Sequence, residues 1–364
     1  MDSIITAGIL LNAAKIPLSV FRRLCGNYQP EELFTGESFW DELGMTPQQK
    51  QRLSDFLAKP SWAERELERT ETLGARFITA KDIDYPARLL DLKNPPVGLY
   101  VLGNANLALP SASIVGTRHP SSYGQNTATQ LARALAQQGV TVTSGGARGI
   151  DSAGHRGALQ EDGITISVFG TGIDKVYPTE NRDLFRRIAE RGALVSEYPL
   201  GTGGEGWRFV ERNRIIAALS SRVVIVESSE TGGAMHTASM GLGLGREVWA
   251  VPGRISEETC SGSNRLLGEG AKVLWSIPEF VGSMSGNHRQ IVLDFGEGQE
   301  TQPPAPELSD SEKAVYSLLQ RQGQRVLDDI VAESGLDDSD VQMALLTLEA
   351  EGLISTEAGR YSAV

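Results

Sequence analysis

Five times between residues 111 and 253, an apolar run of strand type gives way to small, glycine-rich residues: SASIVGTR, TVTSGGARG, ISVFGTG, VVIVESSETGG and EVWAVPG. In an open parallel α/β sheet the strand ends lie along one rim, so these five breaks become neighbours in space. That rim is where a ligand is expected. Glycine permits positive φ and close approach of the main chain, and the first N–H groups of a following helix lack intrahelical partners and carry partial positive charge. Several such ends in a row suit a chain of phosphates.

Around the breaks, strand and helix patterns alternate from about residue 76 to 282. This predicts an α/β core, an extended Rossmann-like, doubly wound and mostly parallel sheet, with right-handed crossovers placing helices on both faces. Helices are expected over Tyr123 to Gln138, over Ile150 to Gln160, and around NRDLFRRIAER, RNRIIAAL, AMHTASMGLG and SNRLLGEG. Residues 1–75 predict a small all-α domain of SAM or helix-hairpin type, with Thr46-Pro47 opening one of its helices. Two roles stand open for it, DNA or partner binding and packing or dimerisation. Residues 283–307, rich in Gly, Pro, Ser and charge, predict a linker. Residues 308–364 read helix, helix, turn, helix and hairpin, the pattern of a winged-helix domain.

The net charge of −12 argues against nucleic acid only until it is divided along the chain. From Ile291 to Val364 there are 15 acidic and 4 basic residues, so the tail carries −11 and residues 1–290 only −1. In the tail, the helix that would enter a DNA groove reads DDSDVQMALLTLEAEG. Carboxylates there repel phosphates, so a structural or protein-binding role outweighs groove recognition. In the body, arginines cluster in the glycine motifs and in RFVERNR at 208–214, so a local positive groove is expected. Cys25 and Cys260 form no CxxC pair, which fits a reducing cytoplasm. No apolar stretch is long enough to span a bilayer, and MDSIITAGILL lacks a basic secretory n-region, so neither export nor membrane insertion is expected.

The candidate grips follow the breaks. After Gly116 and Thr117, Arg118 extends a fixed cation from the rim, and a bidentate guanidinium matches a phosphate. Ser144, Gly145, Gly146, Arg148 and Gly149 form SGGARG, an anion-nest pattern that also serves as a tight strand-to-helix turn. Asp151 and His155, four apart on the next helix, are expected to pack and cap rather than to act as acid and base. Lys175 with Tyr177, the trio Arg212, Asn213 and Arg214, the helix start at Gly232 and Gly233, and a further helix start at Asn264 complete the set. No GxxxxGK[ST], GxSxG or HExxH is present, and His119, His155, His236 and His288 have no metal-ligand spacing. The rim has grips without an evident catalytic engine, and neither cofactor nor metal is expected.

The ordered series SIVGTRHPSSYG, SGGARGIDSAGHRGAL, GTGIDKVYP, SEYPLGT, ERNRIIAALS, TGGAMHTA, GREVWAVPG and SGSNRLL resembles the DprA/Smf family of DNA-processing proteins, from about Phe77 to Trp275. The resemblance implies a core that binds single-stranded DNA without sequence preference, dimerises, and hands the strand to the RecA recombinase during natural transformation. It makes Arg118 the foremost DNA contact, with the SGGARG residues, Arg212 and Arg214 in the same pocket. The chain departs from the pattern at Thr179, where many relatives carry a cation, at Val210, where proline flanks the aromatic, and in TGGAMHT. The competing expectation is a phosphoribohydrolase on a similar scaffold, whose GGxGTxxE glutamate ETGGAMHTA lacks.

Overall fold

The structure, a computed structural model, describes residues 3–59, 61–284, 308–350, 353–357 and 360–363. It divides into two compact units, Met1–Arg289 and Gln290–Val364. The first opens with five helices, α1 (Ser3–Ala13), α2 (Leu18–Asn27), α3 (Glu37–Glu42), α4 (Pro47–Leu57) and α5 (Trp62–Thr72). Helix α4 starts where Thr46-Pro47 predicts: the Thr46 hydroxyl accepts from the Gln49 amide at 3.3 Å, and the Gln49 side chain returns to the Thr46 amide.

The alternating segment follows as β1 (Ala75–Thr79), β2 (Gly98–Gly103), β3 (Ser111–Val115), α6 (Ser122–Gln137), β4 (Thr141–Ser144), α7 (Ile150–Gln160), β5 (Thr165–Phe169), α8 (Arg182–Arg191) and β6 (Ala193–Ser196). Then come α9 (Gly206–Leu219), β7 (Arg222–Ile225), α10 (Gly233–Gly243), β8 (Glu247–Ala250), α11 (Glu258–Gly268), β9 (Lys272–Val273) and α12 (Ile277–Met284). Nine strands form one sheet in the order β1-β2-β6-β5-β4-β3-β7-β8-β9. The seven from β6 to β9 are parallel, and β2 joins β6 antiparallel. Strands β3 to β6 are buried along their whole length, as a sheet covered on both faces requires. One apolar layer lies under α9, α10 and α11, and others lie under α6, α7, α8 and α12.

The helical segment expected over residues 1–75 packs directly on the sheet. Leu10, Leu11, Phe21 and Leu67 share a core with Phe77 and Tyr100 of β1 and β2. Asn12 of α1 ties this segment to the sheet, donating to the Glu197 carbonyl at 2.7 Å and accepting from the Gly98 amide at 3.3 Å.

Helix α11 begins at Glu258, five residues ahead of the expected Ser263. Ser261, Gly262 and Ser263 are therefore helix interior. Their small size has a packing cause: a Cβ on Gly262 would lie 2.5 Å from the Ser229 carbonyl oxygen.

The second unit carries α13 (Asp310–Gln322), β10 (Arg325–Val326), α14 (Leu327–Ser334), α15 (Asp338–Ala350), β11 (Ile354–Glu357) and β12 (Arg360–Ala363). Its strands pair in the order β10-β12-β11 beside three helices, around Val315, Leu319, Ile330, Val341, Leu345 and Leu348. This is the winged-helix plan. Asp337, Asp338 and Asp340 stand exposed at the start of α15, where a groove reader would present cations. The linker expected over 283–307 lies outside the described residues from 285 onward. No helix among the described residues is long and apolar enough to cross a membrane.

Candidate nucleic-acid interface

From β3 the chain runs to β4, β5 and β6 on one side, then returns to β7 on the other. The carboxyl ends of β3 and β7 therefore flank a topological switch point, where open α/β sheets hold their ligands. A cleft of about 420 Å³ opens there. Its walls are Gly116, Thr117 and Arg118 after β3, Ser228 and Ser229 after β7, and the first turns of α9 and α10.

Gly116 is required by crowding: a Cβ would lie 2.7 Å from the Glu227 carbonyl oxygen. Thr117 ties the two strand ends together, its amide donating to that same carbonyl at 2.7 Å. This ladder turns Arg118 outward. The Arg118 side chain is exposed, and it makes no ion pair among the described residues. Opposite it, Gly232 and Gly233 start α10 with no side-chain cap; the Gly232 and Met235 amides donate to the Ser229 and Gly232 carbonyls, which leaves the Gly233 and Ala234 amides for the cleft. Asn213 lines the same cleft, held by a 3.4 Å bond to the Gly233 carbonyl.

The SGGARG turn differs from the expected open nest. The amides of Gly145 and Ala147 converge as a nest does, but both donate to Asp151 Oδ2, at 3.2 and 3.3 Å. The chain supplies its own anion, so these amides are not free for a phosphate. Gly146 and Gly149 take positive φ, +71° and +75°, to build the turn. Gly149 also lies where a Cβ would meet the Thr117 carbonyl oxygen at 2.4 Å. Ser144 is fully buried beneath, its hydroxyl donating to the Ile114 carbonyl at 2.6 Å, and it reaches no ligand.

Arg212 lines the cleft and the recess beside it, but its side chain is bound inward. It is 4% exposed and donates to the Gly145 carbonyl at 2.7 Å and to the Val168 carbonyl, which cross-links the ends of β4 and β5. A Cβ on Gly145 would sit 2.6 Å from its guanidinium, which explains the glycine. Burial lowers Arg212 to about 10 despite the opposing Asp151 charge, and burial pushes the Asp151 carboxyl up despite Arg212. Desolvation therefore outweighs pairing on both partners.

Four more expected contacts are diverted. Two residues along a helix are roughly 200° apart around its axis, so Arg214 faces away from Arg212. It pairs with the buried Glu197. Arg148 is exposed but pairs with Glu180 at the surface. Lys175 is exposed on the β5–α8 loop and is not among the residues lining the cleft. Asn264 sits mid-helix and clamps the loop after β8, bonding both the amide and the carbonyl of Gly253 at 3.0 and 3.1 Å.

Two comparisons of sequence place this geometry. A family model described as DNA recombination-mediator protein A matches residues 76–285, and a DprA winged-helix model matches 299–360. A putative DNA processing protein DprA of Mycobacterium tuberculosis is 37% identical over 335 residues, covering 85% of this chain and 84% of its own length. The chain belongs to the DprA/Smf family. Protein Smf of Escherichia coli is 36% identical over 332 residues, covering 88% and 85%. The X-ray structure of DprA from Streptococcus pneumoniae superposes with a TM-score of 0.65 at 28% identity, covering 75% of this chain and 95% of that one. A structure of DNA processing protein A from Helicobacter pylori, described for its single-stranded DNA binding mode, gives 0.54 at 32% identity, covering 58% and 96%.

Two groups of this DprA/Smf rim escape a reading by motif. Glu227, 1% exposed, accepts from the Ser121 amide at 2.9 Å and from the Ser121 hydroxyl, so it fills the amino end of α6 as Asp151 fills the SGG turn. Its sequence signal is a carboxylate closing an apolar strand run, VVIVE. Phe209 meets the exposed Tyr177 ring, with centroids 5.1 Å apart, beside Arg118 in a small recess. Tyr177 is a residue of the sequence reading; its partner lies on the first turn of α9, 32 residues on, which only the fold brings close.

Asp151 and His155 do not pair with each other. His155 is fully buried, its Nδ1 at 2.7 Å from the Thr165 hydroxyl, and burial lowers it to about 3. A depressed histidine leaves stability untouched above its unfolded value near 6.5 and removes it progressively as pH falls toward 3. By this group alone, about 2 kcal/mol is lost by pH 5. Urea unfolding at pH 7 and pH 5 is expected to show a shallower loss in His155→Gln than in the parent chain. A surface pair contributes little, so Arg148→Ala should leave stability within about 1 kcal/mol of the parent. Urea unfolding at pH 7 checks this.

Proposed function

We propose that this protein binds single-stranded DNA without sequence preference and acts as a binding protein rather than an enzyme. The observation that carries the proposal is the cleft at the switch point, where an unpaired, exposed Arg118 faces the uncapped start of α10. A phosphate seated between them receives charge-assisted hydrogen bonds from one side and helix amides from the other. Beside it, the half-exposed Tyr177 on Phe209 offers an aromatic surface to bases, which an unpaired strand presents and a duplex conceals. The single-stranded DNA binding mode described for the Helicobacter pylori relative supports the same ligand. Asp151, the carboxylate of the cleft, is committed to two amides, which favours a structural role over acid–base work.

The family resemblance extends the proposal to the protein's setting. It works in the cytoplasm as a homodimer, protects incoming single strands, and loads RecA onto them in transformation and recombination. Two grooves side by side would lengthen the footprint and raise avidity.

Fluorescence anisotropy with labelled dT oligonucleotide and a matched duplex, over a salt series, tests the ligand. The single strand is expected to bind at least about tenfold tighter, with log affinity falling by about 0.7 per phosphate contacted for each unit of log salt. Equal affinity for the duplex, or binding indifferent to salt, would overturn the proposal.

A further inference from the structure

Helix α9 begins at Gly206, inside EGWRFVERNR. It can start that early because position 210 is Val210, whose amide is available to the first helical turn; a proline there would remove that donor. The early start lifts Trp207 onto the first turn, where it is 53% exposed. Its helical neighbours Gly206 and Val210 line the cleft, and Val210 is itself 38% exposed, so an apolar step leads from the lip of the cleft to the indole.

The ring is held rather than loose. Indole Nε1 donates to Glu205 Oε2 at 2.6 Å, and the Arg208 guanidinium lies over the ring, 4.9 Å from its centroid. That guanidinium also lies 5.8 Å from the Tyr198 ring, which carries Lys15 at 4.4 Å. Trp207 is thus the outer end of an alternating stack of aromatic rings and cations that ends at Lys15, in the turn between α1 and α2. A large apolar ring so fixed, yet half open to water, is pre-organised to receive a flat partner without further loss of rotamer freedom.

We propose that Trp207 is a base-stacking platform outside the cleft, taking an unpaired base next to the phosphate gripped at Arg118. The inference rests on the single-stranded DNA reading above. It adds a contact set by this chain's own GWRFV segment, beyond the glycine and arginine motifs.

The test uses the full chain, a dT oligonucleotide and an abasic oligonucleotide of the same length. Trp207→Ala is expected to weaken dT binding by about 5- to 150-fold, the range of one base–aromatic stack. Trp207→Phe should recover most of that loss while abolishing the indole quenching seen on binding. The abasic strand, which offers phosphates without bases, should bind the parent and Trp207→Ala alike. Unchanged dT affinity in Trp207→Ala, or an equal loss on the abasic strand, overturns the stacking role while leaving the cleft reading intact. Failure of the parent chain to bind dT at all overturns both.

Discussion

Arg118→Ala is expected to weaken binding of a dT oligonucleotide by about 10- to 150-fold, the worth of a hydrogen-bonded charge contact of about 1.5–3 kcal/mol. Arg118 is exposed and pairs with no described carboxylate, so its removal takes nothing from the fold. The melting temperature should therefore stay within about 2 °C of the parent, because surface substitutions rarely exceed half a kcal/mol. The salt slope should fall by about 0.7, the share of one phosphate on a single strand. Arg118→Lys keeps the charge but loses the planar fork, so it should recover only part of the affinity. Anisotropy titrations at several salt concentrations read all three quantities. An affinity equal to the parent's would remove Arg118 from the interface.

Arg212→Ala is expected to act on folding first. The side chain is buried, joins β4 to β5 through two carbonyls, and is the counter-charge of the buried Asp151. Its loss breaks both carbonyl contacts and takes away the cation that favours the charged form of the buried Asp151, at a cost of about 3–5 kcal/mol. Thermal unfolding should shift down by about 10 °C. Asp151→Asn should cost less than Asp151→Ala, because an amide oxygen still accepts from the Gly145 and Ala147 amides. If Arg212→Ala instead melted like the parent and lost only DNA affinity, the guanidinium would belong to the ligand surface, and the cross-link described here would be wrong.

The periodicity of the sequence was sufficient for the architecture. Apolar runs ending in glycine placed the parallel strands, and the Thr46-Pro47 cap and the start of α7 at Ile150 fall where the pattern puts them. The winged-helix unit follows its expected order of elements. The site was legible in residue identity but only partly in residue role. Glycine and arginine announce a turn near charge, and cannot announce which way the charge faces. Arg118 and Arg212 look alike in the sequence; one is outside because the Thr117 ladder turns it, and the other is inside because the glycine at 145 leaves room for its guanidinium. The SGGARG turn reads as a cradle for phosphate, but the carboxylate that its Gly145 and Ala147 amides hold is Asp151, six residues after Gly145. Small residues at 261–263 read as a helix start, whereas Gly262 is small because the loop after β7 presses against the flank of α11.

The internal carboxylates at two of the rim's helix starts bear on how this scaffold changes over time. Asp151 and Glu227 act as stoppers: each closes a berth that the backbone geometry would otherwise offer to an outside anion. On the single-stranded DNA reading, the number of phosphates the rim docks is set by how many stoppers the chain retains, independently of its strands and helices. A lineage could lengthen or shorten its footprint by exchanging single acidic residues, without redrawing the sheet.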